Sequence, residues 1–390
     1  MNAPDPLRRP GRSRRLGAPL VVLLLALSGT STLAGRSEAD PGFATLAAGA
    51  AAARESNRLD EAMELYRKAL ALRPEWAEGW WSIGTLLYDR DAYREAVEAF
   101  QKAVALSPRS GIAAAMLGLS EARIGRDQDA LHHLESARML GVSDDPGLRQ
   151  TILYVQGTLY LAAGEFGRAQ ETLDLLAQKI ADREELIMAL GESVLGTLPA
   201  SVASTDVATR EVIRRAGHAE YQAARRDTAA ALREYTALAA DAPKFRNVHF
   251  ALGRFLVVAH QDSAAVEAFR REIEVSPDHL LARLGIAGVL VATDPATALR
   301  YAEEAIRLKP KLGEAHYLAG MALLKADRVK RAIVELETAQ GLAPDDAKIY
   351  LALGNAYGLV ERNQDAARAR ARFAKLMAES PAAEGQGPNP

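Results

Sequence analysis

The sequence predicts an all-α fold, a solenoid of stacked helical hairpins, and three phased residue types predict it. Alanines recur every thirty-four residues at Ala62, Ala96 and Ala130, and again at Ala231, Ala265, Ala298, Ala332 and Ala366, with one step a residue short. Prolines follow twelve residues after the alanines, at Pro74, Pro108, Pro243, Pro277, Pro310 and Pro344. Glycines lead them at Gly84, Gly118, Gly253, Gly320 and Gly354. Small residues and a helix breaker at fixed phase mark one supersecondary unit copied in series.

The chain opens on a different kind of segment. Arg8, Arg9, Arg12, Arg14 and Arg15 precede an apolar run from Leu16 to Leu27, and Thr32, Leu33 and Ala34 then offer small residues at a break. That pattern reads as a signal peptide over residues 1–34, cleaved after Ala34, and it implies an exported chain, periplasmic or secreted. The alternative is a retained anchor, because Leu16 to Ala34 carries no charge. Pro19 and the small polar stretch Ser28 to Thr32 favour cleavage, after which no membrane attachment is expected. Removal takes away five arginines and Asp5, so the net charge moves from −2 to −6. A mildly acidic chain lacks the clustered Lys and Arg that nucleic acid demands, so no nucleic-acid partner is expected. Cysteine is absent, which excludes disulfides, thiolate metal sites and thiol nucleophiles.

Residues 77–110 show the repeating unit most fully. Trp80, Ile83, Gly84 and Leu87 form one helical stripe, Asp89 to Asp91 a polar turn, and Ala96, Phe100 and Ala103 the facing stripe of a second helix. Pro108 disfavours helical geometry at Ser107 and ends that helix. This unit resembles the tetratricopeptide repeat, a 34-residue helix-turn-helix family. The resemblance runs from about Phe43 to Leu376 and implies a right-handed superhelix of nine hairpins, at 43–76, 77–110, 111–145, 150–183, 212–245, 246–279, 280–312, 313–346 and 347–379.

Departures from the phase divide the chain. Between the third and fourth units a longer loop carries Asp145-Pro146, a cap and first-turn proline. In the seventh unit the turn is one residue short, and Thr293-Asp294-Pro295 reads as cap and helix start. The fifth unit matches least: Gly217 stands two residues early, which implies an altered inter-helix turn. Ahead of it, Glu184 to Leu198 reads as a spacer helix with Ile187, Leu190, Val194 and Leu195 on one face and no partner helix following. The expected organisation is an N-terminal array over 35–198, a linker over 199–211, a C-terminal array over 212–379 and a disordered tail over 380–390. Residues 197–209 then serve as a structural bridge, or else as a hinge or lid. In the last helix Arg370 stands where the second unit has Phe100, as suits a solvated outer face.

No catalytic, cofactor or metal site is expected. There is no H-E-x-x-H pair, His132 and His133 point about 100° apart on a helix, and phosphate-loop and nucleophile-elbow motifs are missing. His249 and His316 share the phase of Trp80, which marks them as packing residues with a satisfied ring nitrogen. The family resemblance implies instead that first helices line a concave groove. The phase facing that groove gives Trp81, Thr85 and Tyr88, then Met116 and Leu119, then Tyr154 and Thr158. Farther on it gives Phe250 and Arg254, Leu284, then Tyr317, Met321 and Lys325, then Lys348 and Asn355. Leu119, Leu284 and Thr158 suit packing between units, whereas aromatic and methionine side chains suit anchoring a partner segment. A carboxylate clamp as used by relatives that clasp acidic C-termini is not expected, since only Lys348 and Asn355 match it, with Glu314 and Met321 in the unit before. The expectation is a non-catalytic exported scaffold that binds a protein or peptide segment. The alternative is an accessory subunit for envelope polysaccharide or peptidoglycan handling, its aromatics stacking on sugars.

Overall fold

The computed structural model describes residues 41–142, 145–199 and 206–379. The expected signal peptide, the 380–390 tail and residues 200–205 lie outside them. Among the described residues there are nineteen helices and no strand. They form two compact units, 41–159 and 160–379.

The first unit holds α1 (Pro41–Glu55), α2 (Leu59–Leu72), α3 (Ala77–Asp89), α4 (Tyr93–Leu106), α5 (Gly111–Arg123), α6 (Asp127–Leu140) and most of α7 (Pro146–Ala162). Each odd helix through α5 packs on the even helix that follows, and α2 and α4 pack in turn on α3 and α5 of the next hairpin. The second unit takes the end of α7, then α8 (Phe166–Ala177), α9 (Glu184–Leu195), α10 (Val207–Ala224), α11 (Thr228–Asp241), α12 (Val248–Val258) and α13 (Asp262–Val275). It continues with α14 (Leu280–Leu290), α15 (Pro295–Leu308), α16 (Gly313–Lys325), α17 (Val329–Leu342), α18 (Ala347–Leu359) and α19 (Asn363–Glu379). Here hairpins run α10–α11 through α18–α19, and α12, α14, α16 and α18 stand in a row, each touching the next.

The phased small residues do the packing. All eight phased alanines are buried at the hairpin interfaces. Gly84 and Gly253 leave room for the rings of Phe100 and Phe269, which a β-carbon would meet at 2.6 Å. The phased proline has a second use. Trp80 Nε1, His249 Nε2, His316 Nε2 and Tyr350 Oη each reach the carbonyl of the proline six residues earlier, Pro74, Pro243, Pro310 and Pro344, at 2.8–3.0 Å. Both histidines are therefore packing residues whose polar edge is satisfied, and each latch ties a first helix to the end of the preceding unit.

Turns within hairpins share one design. A residue with positive φ follows the first helix, as at Asn57, Asp91, Gly125, Gly164, Arg226, His260, Asp327 and Glu361. The next amide then bonds back five residues, as Arg58 N does to the Ala53 carbonyl (2.8 Å) and Arg362 N to that of Tyr357 (3.0 Å). This Schellman closure satisfies carbonyls that the helix end leaves open. Arg226 shows that the turn of the fifth repeat is not altered, contrary to what its displaced glycine suggested. The short α14–α15 turn is the exception, and there Asp294 caps α15 through Thr297 N (3.1 Å) with Pro295 in the first turn. Asp145 likewise takes the Gly147 amide at the start of α7 (2.8 Å).

The displaced glycine has another explanation, and it corrects the reading of the spacer. Helix α9 buries Ile187, Leu190, Val194 and Leu195 as expected and stops at Gly196, which takes the left-handed conformation. It does have a partner: α10 lies along it, with Gly191 against the Ile213 carbonyl and Gly217 against that of Ile187. Gly217 is out of phase because it serves this crossing. Helix α10 begins at Val207, inside the stretch expected to be linker, because Asp206 caps it through Thr209 N (2.7 Å). The spacer helix thus belongs to the second compact unit, and the division between the two compact units falls within α7.

At the far end, Arg370 of α19 lies exposed with its stem over Gly354 and its guanidinium on the Gly354 carbonyl (3.3 Å), closing the last hairpin with a wettable side chain.

Candidate functional site

Because α9 packs on α10 and also touches α12, it takes a place beside the row of first helices. A cleft of about 530 Å³ opens there. Its walls are Phe166 at the start of α8, Ser193, Val194 and Gly196 of α9, Phe250 and Arg254 of α12, and Leu280 and Leu281 of α14, with Arg246, Asn247, Asp278 and His279 at its rim.

A half-buried hydrogen-bond chain borders this cleft. Asn247 precedes α12 at φ 69°, a left-handed conformation that asparagine tolerates better than most residues. Its side-chain amide donates to the Leu195 carbonyl at the end of α9 (2.5 Å), and its amide oxygen accepts from His279 Nε2 (2.7 Å). His279 Nδ1 in turn accepts from Ala282 N and caps α14 (3.0 Å). With one ring nitrogen donating and the other accepting, His279 is the neutral tautomer, and burial pushes its pKa down to about 4. The Glu272 carboxylate receives the amides of Asn247 (2.8 Å) and Phe250 (3.2 Å) and completes the frame.

Phe250 is the cleft's aromatic floor. Its ring centroid lies 4.8 Å from that of His279 and 5.8 Å from that of Phe269, and the Arg254 guanidinium carbon lies 5.9 Å from the Phe250 centroid. Arg246 pairs with Asp278 at 3.5 Å on the exposed rim. The surface is chiefly apolar with a few fixed polar groups, a composition that ligand-binding clefts share.

Of the residues expected to face a groove, the structure brings Phe250 and Arg254 together here. A second cluster lies on α16 and α18: the Lys348 amine stands 5.1 Å from the centre of the Tyr317 ring and 3.4 Å from Asp346, while Tyr317 and Met321 both pack on the core of the last hairpins and Lys325 and Asn355 are exposed. Trp81, Tyr88, Met116 and Tyr154 are half-buried in the other compact unit. There Trp81 leans on Phe100 (5.5 Å between centroids), Tyr88 on Tyr93 (5.3 Å), and Met116 packs against the same core clusters as Tyr88. Leu119 and Leu284 are buried, as the packing reading expects. Asn247, His279, Phe166 and the α9 residues were not singled out as site residues from the sequence, because turn, cap and spacer residues fall outside the phase that points at the groove.

Among the described residues no three His, Asp or Glu side chains converge on a metal-sized site. His133 instead bonds to the buried Glu121 (2.7 Å), which raises its pKa. No helix among the described residues is long and apolar enough to cross a membrane.

Comparison with known proteins agrees with the hairpin geometry. Tetratricopeptide repeat family models match residues 50–75, 82–139 and 289–347. Among solved structures, MamA 41-end from Desulfovibrio magneticus RS-1 is 22% identical, with 43% of this chain and 93% of that one covered and a TM-score of 0.38. The APC/C hetero-tetramer Cut9-Hcn1 is 12% identical over 87% and 88% of the two chains (TM-score 0.37), and yeast Tom70 15% identical over 87% and 92% (TM-score 0.31). At such TM-scores these likenesses add nothing to what the helices themselves establish. No curated protein matches the chain in sequence.

Proposed function

We propose that this chain, built on tetratricopeptide repeats, is a non-catalytic scaffold that holds a segment of another protein against its first helices, with the cleft around Phe250 as the principal anchor point. The observation that carries this reading is the cleft itself: an apolar, aromatic-floored recess, bordered by the Leu195–Asn247–His279 chain and placed beside the row of first helices. A preorganised recess of this kind accepts a bulky side chain with little loss of its own freedom. Short hairpins that stand only by leaning on their neighbours leave such a row of helix faces available along the unit. Export to the envelope or beyond rests on the N-terminal residues 1–34 alone and is part of the same proposal.

The test is selection of peptides from a random library on the purified chain, followed by affinity measurement on wild type, Phe250→Ala and Leu281→Glu. Peptides that lose about tenfold or more in affinity on both variants, with helicity unchanged, support the anchor. Peptides that bind both variants as well as wild type, or glycans retained where no peptide is, contradict it.

A further inference from the structure

We infer that the segment held in the cleft carries an acidic side chain close to its apolar anchor, and that Arg254 receives that carboxylate. This rests on the cleft being the anchor point for a partner segment, and it names the chemistry of that segment.

Three charged side chains line the cleft, Arg246, Arg254 and Asp278, so the lining is positive although the chain as a whole has a net charge of −2. Arg246 and Asp278 pair at 3.5 Å on the exposed rim and offset each other. His279 adds no charge, since one ring nitrogen bonds to Asn247 and the other accepts the Ala282 amide. Buried Glu272 does not line the cleft, and its two oxygens take the amides of Asn247 and Phe250. That leaves Arg254. It is half-buried, its guanidinium carbon lies 5.9 Å from the centre of the Phe250 ring, and among the described residues no carboxylate or carbonyl bonds to it. Asp174 of α8 is near enough to feel its charge and makes no ion pair with it. A guanidinium presents its N–H donors as a flat fork that matches a carboxylate. In a recess that excludes part of the water, the fork attracts an anion more strongly than it would on an open surface.

Spacing sets the motif. Arg254 follows Phe250 by four residues on α12, a rise of about 6 Å. Side chains two positions apart in an extended segment share a face at about 7 Å, and those three or four apart on a helix are neighbours at about 5–6 Å. The acid therefore stands two residues from the apolar anchor if the segment is extended, and three or four if it is helical. The row of first helices continues from α12 to α18, so the segment runs on past the cleft and the carboxylate belongs to a side chain, not to a chain end.

The test uses the full chain and peptides selected on it from a random library, keeping those that lose about tenfold in affinity on Phe250→Ala. These should carry Asp or Glu at the stated spacing. Exchanging that acid for its amide should cost about tenfold on wild type and less than twofold on Arg254→Gln. Arg254→Lys, which keeps the charge and loses the fork, should fall between, and amidating the peptide C-terminus should change nothing. An equal cost on wild type and Arg254→Gln, Phe250-dependent peptides without the acid, or a loss on C-terminal amidation overturns the Arg254 subsite and leaves the Phe250 anchor standing. If no peptide depends on Phe250, the anchor fails and this inference falls with it. If Arg254→Gln does not fold, Arg254→Lys decides: a smaller cost than on wild type upholds the subsite and an equal one overturns it.

Discussion

Gly217 of α10 lies so close to Ile187 of α9 that a β-carbon on the glycine would stand 1.8 Å from the isoleucine carbonyl oxygen. Gly191 makes the reciprocal approach to the Ile213 carbonyl, at 1.9 Å. The two helices thus touch backbone to backbone. This crossing draws the spacer helix into the second unit and so frames the cleft.

Backbone cannot yield as a side chain can, so Gly217→Ala and Gly191→Ala should each lower stability by about 3 kcal/mol, the upper end of the usual cost of overpacking. Gly288 on α14 is exposed, with nothing within 4 Å of a built β-carbon. There alanine should gain about 0.5–1 kcal/mol through helix propensity. Urea midpoints of the three variants measure the contrast.

Glu192 supplies a pH dependence with a definite sign. Burial raises its pKa to about 7 from 4.5, so below pH 4.5 both folded and unfolded states are protonated and the group costs nothing. As pH rises from 4.5 to 7 the unfolded state ionises first, and folding stability falls by an amount on the order of 2 kcal/mol. Glu192→Gln should therefore melt higher than wild type at pH 8 and at the same temperature at pH 4.5. Equal melting temperatures at both pH values would show that the carboxyl is solvated in the folded chain.

His260 holds the left-handed position of the α12–α13 turn at φ 56°, a place that Gly125 and Gly164 fill in other hairpins. A side chain there costs about 1 kcal/mol. His260→Gly should raise the urea midpoint accordingly, and Gly164→Ala should lower it.

The proline latches can be weighed one at a time. Tyr350→Phe removes the bond to the Pro344 carbonyl while keeping the ring, and should cost about 1 kcal/mol. Exchange of amides near 344–350 should rise with it.

The sequence made the hairpins legible because their determinants are local and repeated: a small residue where helices cross, a breaker where one ends, and a polar turn between. Trp80, His249, His316 and Tyr350 could be grouped by phase before their common hydrogen bond was visible. Phe250 and Arg254 were reached the same way. Asn247 and His279 were not, since a turn residue and a helix cap carry no phase signal and become site residues only when α9 arrives from fifty residues away. Its arrival depends on Gly191 and Gly217 meeting, and a glycine two residues out of register looks in sequence like a damaged turn. The signal was present at Gly217, but its partner was tertiary.

The decisive measurement is site-specific photocrosslinking in the cell that makes the protein, with a photoreactive residue at position 281 in the cleft wall, at 321 on α16, or at the exposed Met139 as control. Positions 281 and 321 should attach to the same partner polypeptide, Met139 should not, and Phe250→Ala should abolish attachment from 281. Attachment from all three positions alike, or attachment from 281 that persists in Phe250→Ala, would refute the Phe250 anchor.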